Sequence, residues 1–130
     1  MKESDTSNKI FEMAAGLVSL WALYELANGA FPYRTRRRII HNADHTCEGC
    51  GVNGSTPMTA HHKLPVSRAI EFGVHKKFYD HVVNGECLCR SCHDKADEFA
   101  LQNPVIFLEA LAQRFPRQLM PIYERVKFGH

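Results

Sequence analysis

Two Cys-x-x-Cys turns, Cys47-Glu48-Gly49-Cys50 and Cys89-Arg90-Ser91-Cys92, stand 38 residues apart in a chain of 130. They constrain the fold more than any other feature, because four sulfurs on one ion oblige the intervening segment to leave and return to the same point. The central half of the chain is poor in long apolar runs and rich in Gly, His and Cys, so it needs a metal to hold it. Gly49 and Gly51 relieve the backbone of the first turn, where two sulfurs converge. Four thiolates in tetrahedral geometry favour zinc, and a closed site of this kind is structural. Its binding free energy is in effect folding free energy. Cys87 is the surplus thiol. Cys87-x-Cys89 is also a feasible turn, but a Cys-x-x-Cys on both sides is the more symmetrical solution, and Cys87 then reads as a small buried residue.

With 45% apolar residues the chain can bury a modest core as one compact domain. The net charge of +2 does not announce a nucleic-acid partner, but its distribution is uneven. Arg34, Arg36, Arg37 and Arg38 cluster before the first cysteine turn, and Lys63, Arg68, Lys76, Lys77 and Arg90 follow it. Beside a metal site such runs read as phosphate-facing rather than merely solvated. Five cysteines, an odd count, fit metal-bound thiolates in a reducing cytosol better than disulfides. The first residues, Met1-Lys2-Glu3-Ser4-Asp5, lack the pattern of a secretory signal, and the longest apolar stretch, Met13 to Tyr24, is too short to span a bilayer. A cytoplasmic protein with no membrane partner is expected.

The organisation reads as an N-terminal helical extension over residues 1–35, a core over 36–98 and a C-terminal helical extension over 99–130. In the first part residues 9–28 form a helix, with Asp5 or Ser7 as its cap and Asn28-Gly29 as its stop. It is apolar nearly all round, with a stripe of small residues at Ala15, Gly16, Ser19 and Ala22. It packs against the C-terminal helices, offers a face to a second copy or a protein partner, or attaches to a membrane surface, the first being the plainest reading. Beyond Cys92 a helix carries His93, Ala96, Asp97 and Ala100, and Asn103-Pro104 ends it and starts another, Asn103 acting as cap. Val105, Phe107, Leu108, Leu111 and Phe115 give the next helix an apolar face. Pro116 and Pro121 interrupt the tail, where Leu119, Ile122, Tyr123 and Val126 complete the core.

Between the cysteine turns lie His61-His62-Lys63-Leu64-Pro65 and Asn84, and the second turn runs into His93-Asp94-Lys95. Over roughly residues 36–98 this order resembles the HNH endonucleases: a Cys pair, a His-His step followed by two residues and Pro, an Asn, and a Cys-x-x-Cys-His ending nine residues past that Asn. The resemblance implies an α+β fold, a ββα-metal finger in which a strand over Thr59–Leu64, a loop of about twenty residues and a strand near Val82–Glu86 form a hairpin crossed by a helix opening at Cys92-His93. A four-cysteine zinc site staples it and the terminal helices wrap it.

The resemblance also implies roles. His62 corresponds to the general base that takes a proton from the attacking water. His61 and His93 correspond to ligands of a single catalytic divalent ion, magnesium or manganese, with nickel or zinc as alternatives because imidazoles are donors. Asn84 corresponds to the residue that fixes the loop orienting the base through backbone hydrogen bonds. Most members carry Asp where this chain has His61. The doublet is shared with the colicin DNase branch, where a further ligand lies four residues beyond the helix histidine, and Asp97 occupies that place. A solvated carboxylate near Lys95 is the plainer reading of Asp97.

The partner implied is DNA, with Arg36, Arg37, Arg38, Lys63 and Arg90 as candidate phosphate contacts and little or no intrinsic sequence specificity. The competing readings are a noncatalytic zinc-stabilised nucleic-acid-binding module and a partner-recruited subunit of a phage packaging or restriction system. His41, His45, His75 and His81 read as surface, turn or structural residues. No Gly-x-Ser-x-Gly elbow and no phosphate-cradling glycine loop occur. The enzyme reading requires the His62 ring to stand near a cation-held scissile ester; a ring facing away, packed inside apolar side chains with no room for a polyanion, would end it.

Overall fold

The computed structural model describes residues 29–53 and 56–129. Its backbone divides into two units, Met1–Ala30 and Phe31–His130, and the second is described here. The expected helix over 9–28 lies outside the described residues.

Helix α1 (Tyr33–Asn42) follows Pro32, whose fixed φ suits the approach to a helix. It buries Ile39 and leaves Arg34, Arg36, Arg37 and Arg38 exposed. The boundary expected between residues 35 and 36 falls inside it. Asp44 and His45, both in the left-handed region (φ 57° and 54°), turn the chain toward Cys47.

Strand β1 (Met58–His62) pairs antiparallel with β2 (Gly85–Cys89), with Ala60 opposite Cys87, His61 opposite Glu86 and His62 opposite Gly85. Between them the chain forms α2 (Val66–Phe72), α3 (Lys76–Tyr79) and a 3-10 turn, Val82–Asn84. Three further helices follow: α4 (Arg90–Gln102), α5 (Pro104–Arg114) and α6 (Pro116–Phe128). The result is α+β, a two-stranded hairpin among helices. Among the described residues no helix is long and apolar enough to cross a membrane.

Alternation along the strands separates two faces. Ala60 and Cys87 meet Phe31 and Ile39, so α1 covers one face. On the other, Leu88 meets Ala96 of α4, and Cys89 at the end of β2 joins the same cluster. The largest core lies elsewhere: Leu64, Ala69, Val74, Phe78 and Tyr79 from the interstrand segment pack with Leu108, Leu111, Ala112, Leu119 and Tyr123 of α5 and α6. The hairpin is thus anchored by the same segment that joins its strands.

Several expectations are corrected. The second strand begins at Gly85, not Val82, because the His81 ring caps a 3-10 turn over Val82–Asn84 by accepting the Val83 N–H at 3.2 Å. The interstrand loop is largely helical, and His75 caps α3 in the same way through the Lys77 N–H at 3.0 Å. Helix α4 opens at Arg90, ahead of His93. Asn103 holds the N-cap position of α5 as expected but without a side-chain cap bond; its side-chain amide instead donates to the Phe99 carbonyl at 3.0 Å, at the end of α4. Pro116 opens α6, and α6 runs through Pro121 despite the lost N–H, with Leu119 and Tyr123 holding it in the core.

Candidate functional site

The sulfurs of Cys47, Cys50, Cys89 and Cys92 all lie within 4.8 Å of one another. Zinc–sulfur bonds of about 2.3 Å at tetrahedral angles place sulfurs roughly 3.8 Å apart, and Cys50 Sγ to Cys89 Sγ is 3.8 Å. The donor set fits a structural metal ion. The polypeptide is shaped for it: Gly51 adopts φ 84°, and a Cβ at Gly49 would stand 3.1 Å from Cys92 Sγ. Glu48 docks the first turn onto β2, its N–H donating to the Cys87 carbonyl at 2.8 Å while its carboxylate accepts the Cys87 N–H at 2.9 Å. Cys87 itself is fully buried against α1 and outside the cluster.

Burial disfavours the Cys47 thiolate, yet N–H donors from Cys89, Cys50 and Gly49 outweigh it and bring Cys47 down to about 6. Hydrogen bonding to Cys47 and Cys89 pushes Cys92 up to about 12. A bound cation would favour the thiolate form of its sulfur ligands.

The histidines divide between the two faces of the hairpin. On the α4 face the His61 ring meets His93 edge-on, with centroids 5.1 Å apart and planes at 84°. His61 is 3% exposed. Burial, then the nearby His93, lowers its pKa to about 4, while the Asp97 carboxylate acts in the opposite sense. A neutral ring at physiological pH keeps a lone pair for a metal. His93 and Asp97 lie one helical turn apart on α4, both near His61. Among the described residues the cysteines are the one group of three or more His, Cys, Asp or Glu whose donor atoms gather within 4.8 Å; His61, His93 and Asp97 are neighbours but not so tightly drawn.

His62 projects to the α1 face. Its ring stacks on Phe31, with centroids 3.7 Å apart and planes at 9°, and Tyr79 approaches edge-on. Its Nε2 lies 2.7 Å from Asp80 Oδ1, and it is 6% exposed. The other oxygen of Asp80 receives Lys76 Nζ. Burial disfavours the Asp80 carboxylate, but the hydrogen bonds from His62 and Lys76 prevail and hold it below the usual carboxylate range. In this conformation the ring does not face open solvent beside the His61–His93 pair. Both histidines nonetheless stand at the C-terminal end of β1, where His62 is the last residue.

Asn84, 2% exposed, holds the chain that leaves β1. Its Oδ1 accepts the Leu64 N–H at 2.9 Å, and its Nδ2 donates to the carbonyls of Leu64 at 3.2 Å and Tyr79 at 2.9 Å.

The basic residues are distributed otherwise than the sequence suggests. Arg36, Arg37 and Arg38 project at successive angles from α1, so they do not share one face. Arg34, Arg37, Arg38, Ile40, His41 and His45 line an open concavity of about 600 Å³. The guanidinium groups of Arg36 and Arg37 lie over the Tyr33 ring. The arginine helix and the His61–His93 pair occupy opposite faces of the hairpin. Arg68 donates to the Leu101 carbonyl and pairs with Glu71, while Lys76 is engaged with Asp80, so neither projects as part of a phosphate-facing set. Arg90 is exposed and lies 3.5 Å from Asp94. Lys63 is half-buried, near Glu86.

Sequence reasoning missed Asp80 and Phe31. Neither lies within a motif, and Asp80 is brought to His62 across 18 residues by α2 and α3. No family model, curated protein or solved structure matches the chain.

Proposed function

We propose that this chain is a metal-dependent DNA endonuclease in which β1, β2 and α4 form a ββα-metal finger of the HNH type. The observation that carries the reading is the set of groups at the end of β1. His61 and His93 meet on one face, His62 is fixed by a carboxylate on the other, and Asn84 clamps the backbone just beyond. A binding module has little need of a buried imidazole–carboxylate pair next to a buried neutral imidazole.

On this reading zinc occupies the four-cysteine site and holds the two ends of the motif together. His61 and His93, with Asp97 as a third donor, hold one divalent ion, magnesium or manganese, which would supply electrostatic stabilisation to the phosphate as its ester bond breaks. His62 takes the proton of the attacking water. Asn84 keeps β1 and α3 in register with each other through Leu64 and Tyr79. Arg36, Arg37, Arg38, Lys63 and Arg90 are the candidate phosphate contacts, with the arginines of α1 reaching the DNA from the face opposite His61 and His93. With few groups directed at base edges, cutting is weakly specific.

Because Phe31 covers one face of His62, Phe31 must move aside for DNA to reach the ring while the His62–Asp80 contact is kept; catalytic geometry often tightens only when substrate is bound. The same cover favours a second reading, a noncatalytic zinc-stabilised DNA-binding module in which His62–Asp80 is simply a satisfied buried pair. Incubating supercoiled plasmid with the zinc-loaded protein and Mg²⁺, Mn²⁺, Ni²⁺ or Zn²⁺ separates them. The nuclease reading expects cutting with at least one ion and its loss in His93→Ala. Tight, salt-sensitive binding with every ion and no cutting would establish the module instead. Unchanged ion affinity in Asp97→Ala would remove Asp97 from the site.

A further inference from the structure

Resting on the nuclease reading, we infer that Asp80 is the positioning residue for the general base: it holds the His62 proton on Nε2 and so makes Nδ1 the atom that receives the proton of water. An ionised carboxylate can only accept, so the 2.7 Å contact requires Nε2 to be the donor. A neutral imidazole carries one N–H, which leaves the lone pair on Nδ1. Among the described residues no hydrogen bond engages that nitrogen. In this conformation Phe31 stacks on the ring face, a contact that does not meet the in-plane lone pair.

The surrounding bonds are those a positioning device needs. The second Asp80 oxygen is held by Lys76 from the same helix, so the carboxylate cannot rotate away from the ring without losing an ion pair. Asp80 terminates α3, whose first turn is fixed by the His75 cap. Asn84 then bonds Leu64, two residues after His62, and Tyr79, one residue before Asp80. One buried amide thus sets the separation between the base and its carboxylate. In the step itself the water proton passes to Nδ1, the ring becomes imidazolium, and Nε2–H stays on Asp80, which remains ionised throughout.

The test is Asp80→Asn in the full-length, zinc-loaded protein. The carboxamide can donate to Nε2 and so drive the ring proton to Nδ1, removing the basic lone pair. Side-chain ¹⁵N NMR of the wild type should show His62 protonated at Nε2, and the variant should show the proton at Nδ1 or a mixture. Plasmid cutting should fall on the order of 10²–10⁴-fold in kcat with KM little changed, as expected for loss of a correctly poised base. A wild-type His62 protonated at Nδ1 overturns the inference with no variant needed, which keeps the test decisive should Asp80→Asn fail to fold. So does a folded Asp80→Asn protein that cuts like wild type while His62→Ala is inactive. If His62→Ala cuts like wild type, His62 is not the base and this role falls, whatever the tautomer, while the nuclease reading stands. The nuclease reading falls only if wild type leaves the plasmid intact with every ion, and if only Asp80→Asn is without effect, His62 remains the base and Asp80 alone loses its role.

Discussion

Replacing Asn84 by Asp changes one NH₂ group into an oxygen at constant shape, and so isolates the hydrogen bonds that clamp the exit of β1. The Leu64 N–H keeps its acceptor, but the carbonyls of Leu64 and Tyr79 lose their donor and face a carboxylate instead. Each buried acceptor left unsatisfied costs about 1–3 kcal/mol, so the pair costs about 2–6 kcal/mol. That is a large share of the roughly 5–15 kcal/mol by which a domain is stable. With a urea m-value of about 2 kcal/mol/M the unfolding midpoint should drop by about 1–3 M. The sign with pH follows from the same contacts. The new carboxyl is buried among acceptors, so its folded-state pKa rises above the unfolded value, and folding favours its protonation. Once protonated it regains one donor, so the deficit relative to wild type should shrink as pH is lowered through that raised pKa. The assay is urea unfolding of both proteins at several pH values with metal content held constant. A midpoint shift below about 0.3 M, or a deficit independent of pH, would refute the assignment of these three bonds.

The four-cysteine site should bind one metal ion per chain: chelation or Cys50→Ser should release it and abolish cooperative unfolding, whereas Cys87→Ser should retain it, and metal analysis with thermal melts checks both. Gly85→Ala places a Cβ 2.1 Å from Ile39 Cδ1 and 2.6 Å from its Cγ1; the overpacking should cost about 1–3 kcal/mol. Adding Ile39→Ala should cost less in that background than in wild type, and a double-mutant cycle in urea reads the coupling. Asp80, held below the usual carboxylate range by His62 and Lys76, stabilises the fold above its unfolded pKa, and that contribution is lost as pH falls through the folded value. The stability difference between wild type and Asp80→Ala should therefore be full at neutral pH and disappear in acid, as urea midpoints would show.

What could be read from the sequence is what local chemistry dictates at fixed spacing. The Cys-x-x-Cys turns announce a ligand set because two sulfurs three residues apart converge whatever surrounds them, and the four do gather. His93 and Asp97 share a helix face for the same kind of reason. The apolar positions of α5 and α6, Leu108, Leu111, Leu119 and Tyr123, follow helical periodicity and are buried. What escaped depends on the path of the chain. Val82 and Val83 read as strand by composition, yet the His81 cap bends them into a 3-10 turn and moves β2 three residues on. Asp80 looks like any loop carboxylate until α2 and α3 carry it to His62. The arginines of α1 look like one patch in the sequence, but helical rotation spreads them and the hairpin separates them from His61 and His93. The face on which His62 lies was likewise hidden, since strand alternation sends adjacent histidines in opposite directions.

Single-turnover cutting of duplex DNA by wild type and His62→Ala, both zinc-loaded and in the same divalent ion, tests the central claim most directly. Loss of a general base should slow strand scission on the order of 10²–10⁴-fold while DNA binding and zinc content stay unchanged. Equal rates for the two proteins, or intact DNA with wild type in every ion, would contradict it.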